Sequence, residues 1–227
     1  MIRVKICGLT RLEDAWCAVE AGADFLGFIC YPRSPRYLTP RDIRRIVAEV
    51  RARGAQTPAI GVFVNASLME VRQVMEAAGL DLVQLHGDEP PDWVAALGGR
   101  AFKAIRPPTL SEGITAWERY RPVTSTALEH PRLLVDAYHP DAYGGTGAIG
   151  DWTMAAELAR RCDRLLLAGG LHPDNVAAAV AMVHPWGVDV SSGVESAPGR
   201  KDHGKIRAFI AAVREPGQAA DKRGGVH

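Results

Sequence analysis

Two residues that can transfer protons lie at the ends of short aliphatic runs in this sequence. Cys7 closes the run IRVKIC. A thiol in a polar mouth near cationic groups can act as a base or as a nucleophile. Lys5 precedes it by two residues, so the pleat of a strand would point both side chains to the same side. The alternative is that Cys7 is a small buried core residue, but its place at a strand end favours chemistry.

Asp136 follows the apolar residues 133–135 directly. A carboxylate at such a place must be exposed at the mouth of the fold or paired, because burying it alone is costly. It could act as a general acid if apolar walls raise its pKa. A structural salt bridge or a loop cap is the alternative interpretation.

Two further strand-end residues carry weaker signals. Asp189, in the run GVDVSS, could bind a hydroxyl or an amine. His86, in VQLHGDE, proves little alone, since a lone histidine is more often structural than a ligand. No other His, Asp or Cys has a spacing that matches His86 and Asp88, so we expect no metal site.

Two glycine-rich turns predict a phosphate site. One turn contains Gly169 and Gly170, and the other contains Ser191, Ser192 and Gly193. Glycine lets the backbone approach an anion closely, and serine adds donors. Barrels often bind phosphate between the loops after strands seven and eight, with backbone N–H groups and a helix N-terminus. The alternative is that the glycines only allow tight turns and bind no phosphate.

Eight short aliphatic runs alternate with segments of helical period. The runs span 2–7, 24–30, 59–64, 81–86, 101–106, 132–137, 164–170 and 187–192. Several are apolar on both faces, as buried parallel strands are. Eight such units predict a single α/β domain, a (β/α)₈ TIM barrel with eight parallel strands and eight outer helices. In this fold the active site forms at the carboxyl ends of the strands, where the candidate residues fall.

Local signals predict the helix starts and the ends of the domain. Thr10 with Glu13 is typical of a capping box, Pro40 of a first helical position, and Ser67 of the residue before a helix. The barrel should cover 1–213, followed by a flexible polar tail over 214–227. The glycine-rich segment 144–147 follows no nucleotide-binding pattern, and we interpret it as a mobile loop that closes over substrate.

Composition excludes several functional classes. The net charge of +1 offers no general attraction to nucleic acid or to an anionic membrane. No apolar run approaches the roughly 20 residues of a membrane span, and the N-terminus lacks the apolar region of a signal peptide. We therefore expect a cytoplasmic protein whose four cysteines are thiols. A monomer is the default expectation, with a homodimer left open.

With these positions assembled, the sequence resembles the phosphoribosylanthranilate isomerase family of tryptophan biosynthesis over residues 2–213. Eight ordered motifs carry the resemblance: KICGLT (5–10), GFICYPRSPRY (27–37), GVFVN (61–65), VQLHGDE (83–89), FKAIR (102–106), LLVDAYHPDAYGGTG (133–147), LAGGLHPDNV (167–176) and GVDVSSGVE (187–195).

The resemblance implies an Amadori rearrangement of N-(5-phosphoribosyl)anthranilate, with Cys7 as general base and Asp136 as general acid. It implies that Arg36 engages the anthranilate portion and that His86 and Asp189 line the substrate pocket. The two glycine-rich turns correspond to phosphate-binding turns of the family. No redox cofactor or metal is implied, because the protonated imine is itself the electron sink. The chain departs from the family over 148–150, which puts a substrate contact from Ala148 in question.

Three other interpretations remain open. One is a related phosphate-binding barrel enzyme of the indole-3-glycerol-phosphate synthase or ribulose-phosphate epimerase type. The synthase should show a catalytic lysine with glutamates and an N-terminal extension, and the epimerase a His/Asp metal set; neither pattern is present. Another is a non-catalytic phosphosugar-binding barrel, which would need neither Cys7 nor Asp136. A dual-substrate isomerase should have an aspartate in place of Cys7.

Overall fold

Eight parallel strands close into a barrel in chain order. The computed structural model describes residues 1–136 and 152–214. The strands are β1 Arg3–Ile6, β2 Phe25–Ile29, β3 Ala59–Phe63, β4 Leu82–Leu85, β5 Ala101–Ile105, β6 Leu133–Asp136, β7 Leu165–Ala168 and β8 Gly187–Val190. The barrel closes between β1 and β8, where Lys5 is in register with Asp189. The predicted TIM barrel is therefore confirmed.

Within the described residues, eight α-helices alternate with the strands. They are α1 Leu12–Ala21, α2 Pro40–Ala52, α3 Leu68–Ala78, α4 Pro91–Ala96, α5 Leu110–Tyr120, α6 Trp152–Ala159, α7 Val176–Val183 and α8 His203–Arg214. A short antiparallel hairpin, β9 Glu195–Ala197 and β10 Arg200–Lys201, lies between β8 and α8.

Local capping explains two of the predicted helix starts and contradicts a third. Pro40 is the first residue of α2, and Ser67 forms a reciprocal capping box with Glu70 at α3. The predicted box at Thr10 is wrong. Helix α1 begins after Arg11 without a side-chain cap, because the Thr10 hydroxyl donates instead to the Gly199 carbonyl oxygen.

The inward faces of the strands divide the barrel interior into an apolar base and a polar top. The base packs together Phe25, Ile60, Leu82, Phe102, Leu134 and Leu166, and Ala104 and Ala168 lie one inward position further along β5 and β7. Side chains alternate along a strand with period two, so the next inward positions after the base lie at the carboxyl ends. Lys5, Gln84 and Asp189 occupy such positions and are buried. The fold therefore aims polar groups at one end of the barrel.

The chain ends of the described part are tied down by Arg214. Its guanidinium donates to the carbonyl oxygen of Ile2 at 2.6 Å and to Asp24 at 2.8 Å. Arg214 thus completes α8 and is not part of a tail. Residues 215–227 of the predicted tail, and the predicted mobile loop at 144–147, lie outside the described residues. Within 1–136 and 152–214, no helix has the length and apolar character of a bilayer span.

Candidate active site

The carboxyl ends of the strands surround a cavity that brings most of the predicted site residues together. Nine of the ten line it: Cys7, Arg36, His86, Asp136, Gly169, Gly170, Asp189, Ser191 and Ser192. The tenth, Gly193, does not line this cavity. A Cβ atom at Gly193 would collide with the carbonyl oxygen of Leu171, so glycine is needed there for close backbone packing.

Lys5 is a fully buried cation beneath Cys7. Its ammonium donates to Asp189 Oδ1 at 3.0 Å and to Gln84 Oε1 at 2.9 Å. Burial by itself disfavours the charged ammonium, but the Asp189 carboxylate and Cys7 together outweigh it, and the pKa of Lys5 is raised. The Cys7 sulfur and the end of the Lys5 side chain both lie within 3.1 Å of a Cβ atom built at Gly27, so the two side chains point to the same side, as predicted.

Cys7 is buried, and burial raises the pKa of its thiol. The Lys5 ammonium acts in the opposite direction and lowers it, as Lys201 does more weakly, but neither overcomes desolvation. The thiol is therefore the resting form. Once deprotonated, a thiolate of raised pKa is a stronger base than an ordinary one, which suits proton abstraction from carbon.

Asp136, at the end of β6, pairs with Arg106, which follows β5. Nη2 of Arg106 lies 2.6 Å from Oδ2 of Asp136, and the arginine side chain is 60% exposed. The register of Ile105 opposite Val135 places the two next to each other. The pair is therefore exposed to solvent on the arginine side, while the Asp136 side chain is only 13% exposed.

Arg36 is held in a bidentate ion pair that the sequence interpretation did not foresee. Its Nε and Nη2 donate to the two carboxylate oxygens of Glu195 at 2.8 and 2.6 Å. Lys201 donates to Glu195 at 2.9 Å and to the carbonyl oxygen of Ser191 at 3.0 Å. Glu195 thus fixes the Arg36 guanidinium, whose Nη1 makes no hydrogen bond to a described residue. In the sequence, Glu195 is marked only as the last residue of the motif GVDVSSGVE.

The loop after β4 is fixed by a buried ion pair that was also missed. Lys103 donates to Glu89 at 3.0 Å and to backbone carbonyl oxygens of Leu85 and Gly87. Glu89 in turn accepts from the Gly87 N–H at 2.9 Å and from the Asn65 N–H at 2.8 Å. This network holds the segment that contains His86 in place.

The two glycine-rich turns are neighbours at the mouth. Gly169 and Gly170 both have left-handed backbone, with φ of 98° and 65°, which favours glycine. After β8, a short 3₁₀ helix over Ser192–Val194 begins at the cavity wall. Backbone turns of this kind with a helix N-terminus form the usual anion site of such barrels.

The chain is similar to known proteins over nearly its whole length. The sequence profile of the family described as PRAI: N-(5'phosphoribosyl)anthranilate (PRA) isomerase matches residues 4–212. A relative from Pelobacter propionicus named N-(5'-phosphoribosyl)anthranilate isomerase is 48% identical over 215 residues, which are 95% of this chain and 97% of the relative.

Solved structures give the same result. The phosphoribosyl anthranilate isomerase of Thermotoga maritima superposes with a TM-score of 0.82 at 41% identity, covering 94% of this chain and 99% of that one. A structure of phosphoribosyl anthranilate isomerase in complex with reduced 1-(o-carboxyphenylamino)-1-deoxyribulose 5-phosphate superposes with a TM-score of 0.79 at 39% identity over the same shares. The chain therefore belongs to the N-(5'-phosphoribosyl)anthranilate isomerase family.

Proposed function

We propose that this chain converts N-(5'-phosphoribosyl)anthranilate into 1-(2-carboxyphenylamino)-1-deoxyribulose 5-phosphate, a step of tryptophan biosynthesis. The observation that carries the proposal is that Cys7 and Asp136 line one cavity together with the two glycine-rich turns. A base, an acid and an anion site are what an isomerase of a phosphorylated aminosugar needs.

Asp136 is the proposed general acid. It delivers a proton to the furanose ring oxygen while the C1–O bond breaks, and the nitrogen lone pair forms the C1=N bond of a protonated Schiff base. The acid must first hold that proton, and protonation removes the charge that pairs with the largely exposed Arg106.

Cys7 is the proposed general base. The thiol first loses its proton to solvent in the cavity that Cys7 lines, and the Lys5 ammonium stabilises the thiolate. The thiolate then removes the C2 proton, the C–H electron pair forms a C1=C2 double bond, and the imine electrons return to nitrogen to give an enolamine. Protonation at C1 and loss of the proton of the C2 hydroxyl to solvent then yield the C2 ketone. The imine carries a positive charge next to Cys7 during this step, which offsets the cost of a buried thiolate.

The remaining predicted residues are proposed to hold the substrate. The Nη1 side of Arg36, held by Glu195, is proposed to bind the anthranilate carboxylate. His86 and Asp189 contact the sugar portion, and Asp189 keeps Oδ2 without a hydrogen bond to a described residue. The segments around Gly170 and Ser192 hold the phosphate with backbone N–H groups.

The reaction is an aldose–ketose isomerisation, an intramolecular oxidoreduction. C2 loses the electron pair that C1 gains, so the substrate itself balances the change and no nicotinamide, flavin or metal is invoked. The small phosphorylated substrate is the only partner proposed, and a monomer remains the prediction for the oligomeric state, with light scattering as its test.

The deciding experiment is a fluorescence assay that follows the consumption of freshly prepared phosphoribosylanthranilate. The protein should be purified from a host that lacks its own isomerase, so that contamination is excluded. We expect turnover proportional to the concentration of the protein. A folded protein that binds the substrate without consuming it would support the non-catalytic phosphosugar-binding alternative instead.

A further inference from the structure

Three polar side chains form a continuous chain of hydrogen bonds from the barrel interior to the cavity. Lys5 Nζ lies 2.9 Å from Gln84 Oε1, and Gln84 Nε2 lies 2.8 Å from His86 Nδ1. Lys5 is fully buried and Gln84 is 1% exposed. The geometry of this chain is therefore set by protein atoms.

The donor and acceptor capacities of these groups allow one arrangement. An ammonium only donates, so the Gln84 amide must present its oxygen to Lys5. The amide nitrogen, which only donates, then faces His86. Nδ1 of His86 must accept this bond, so it cannot carry a proton.

The charge state of His86 completes the assignment. Burial lowers the pKa of its imidazole, which keeps the ring neutral at neutral pH. The charged groups that act on it are Asp136 and Asp189, which favour the cation, and Lys5 and Arg106, which oppose it. A neutral ring with an unprotonated Nδ1 carries its proton on Nε2.

The Nε2 atom is shielded from water and has no hydrogen-bond partner among the described residues, although His86 lines the cavity. A buried donor without an acceptor is unfavourable, so an acceptor atom of a water molecule or of a ligand in the cavity is needed at this position.

We propose that Lys5 and Gln84 are positioning residues that lock His86 in its Nε2–H tautomer, so that it donates a hydrogen bond to an oxygen of the substrate. The identity of that substrate rests on the proposed function, whereas the tautomer does not. The Lys5 ammonium thereby has two effects, one on Cys7 and one, through Gln84, on His86.

The tautomer can be read directly by NMR. In protein labelled with ¹⁵N-histidine, two- and three-bond ¹H–¹⁵N correlations separate protonated from unprotonated ring nitrogens. The His86 signals are those that disappear in His86→Asn. We expect an unprotonated Nδ1 and a protonated Nε2 in the wild-type protein. A protonated Nδ1 would overturn the proposal without need of any variant at Gln84.

Gln84→Glu tests the relay itself. A carboxylate has no N–H, so it can only accept from both neighbours, and we expect a proton to appear on His86 Nδ1. We expect kcat/KM to fall about 10-fold or more, because the Nε2–H group of His86 no longer donates to the substrate oxygen. Gln73→Glu, the same change at an exposed position of α3, is the matched control and should alter neither the His86 tautomer nor kcat/KM.

Two results would contradict the proposal in different ways. An unprotonated Nδ1 in folded Gln84→Glu would show that Gln84 does not set the tautomer. A changed tautomer with unchanged kcat/KM would show that His86 Nε2–H donates no hydrogen bond to the substrate. If the wild-type protein has no isomerase activity, the proposed function fails, and the wild-type spectrum still decides the relay.

Discussion

A side chain at Gly27 would meet the sulfur of Cys7: a Cβ atom built there lies 2.9 Å from both Cα and Sγ of Cys7. The same atom would lie 3.1 Å from Cε of Lys5. Gly27 belongs to β2 and faces the barrel interior, so the missing side chain leaves the space that the Cys7 and Lys5 pair occupies. The proposed base therefore depends on a residue that carries no functional group.

Gly27→Ala should lower both stability and turnover. The added methyl group forces Cys7 and Lys5 to shift in a packed interior, which we expect to cost about 1–3 kcal/mol in the free energy of unfolding. Urea denaturation and kcat measure the two effects. Gly204→Ala in α8 serves as control, since its Cβ would meet only the end of the Asp202 carboxylate. An unchanged kcat in Gly27→Ala would show that the geometry around Cys7 tolerates displacement.

Cys7 should react with alkylating agents only at high pH. Since burial raises the pKa of its thiol and Lys5 only partly opposes this, little thiolate exists at neutral pH. We expect the rate of alkylation by iodoacetamide, followed at the Cys7 peptide by mass spectrometry, to rise until well above the ordinary thiol pKa of about 8.5. A rate that reaches its plateau near pH 7 would contradict the assignment of burial as the dominant effect.

Glu195→Gln should weaken substrate binding and remove a pH-dependent contribution to stability. Burial alone raises the pKa of Glu195, but hydrogen bonds from Arg36 and Lys201 outweigh it, and the pKa is lowered. The stabilisation is therefore complete above the unfolded-state pKa of about 4.3 and is lost as the pH falls through the folded-state value.

Glu195→Gln should accordingly be about 3 kcal/mol less stable than the wild-type protein at pH 7. The difference in unfolding free energy should shrink in the acid range below pH ~4. Urea titrations at several pH values check this, and KM should rise in Glu195→Gln with a smaller change in kcat. A KM equal to that of the wild-type protein would show that Arg36 needs no partner to hold its position.

Asp136→Asn should lose at least ~10² in kcat while retaining substrate binding, as expected for the loss of a general acid. Arg106, the ion-pair partner of Asp136, supplies a matched comparison. Arg106→Met should change the free energy of unfolding by about 1 kcal/mol or less, because the Arg106 side chain is 60% exposed. Steady-state kinetics and urea denaturation measure these effects, and a near-normal kcat in Asp136→Asn would remove its role as the acid.

The strands and the positions of the site residues could be predicted because both depend on local pattern. Runs that are apolar on both faces mark buried parallel strands, and a polar residue that ends such a run must face the mouth. The partners of these residues were not predicted. Glu195 reaches Arg36 from a hairpin 159 residues later, and no local pattern reports that contact.

The period-two alternation of strand residues could have identified Gln84 as a partner of the site. Gln84 precedes His86 by two residues, as Lys5 precedes Cys7, so both pairs share an inward face. What the sequence could not show is that Lys5 and Gln84 meet inside the barrel, since that contact requires the radius and register of the closed sheet. The failed cap at Thr10 has a similar cause, because a tertiary contact with Gly199 competes for its hydroxyl.

The turnover of Cys7→Ser at saturating phosphoribosylanthranilate tests the proposed chemistry most directly. A serine hydroxyl keeps nearly the same size but is a far poorer source of an anionic base at neutral pH. We predict that kcat falls by at least ~10² with little change in substrate binding or in the free energy of unfolding. A kcat close to that of the wild-type protein would contradict the assignment of Cys7 as the general base.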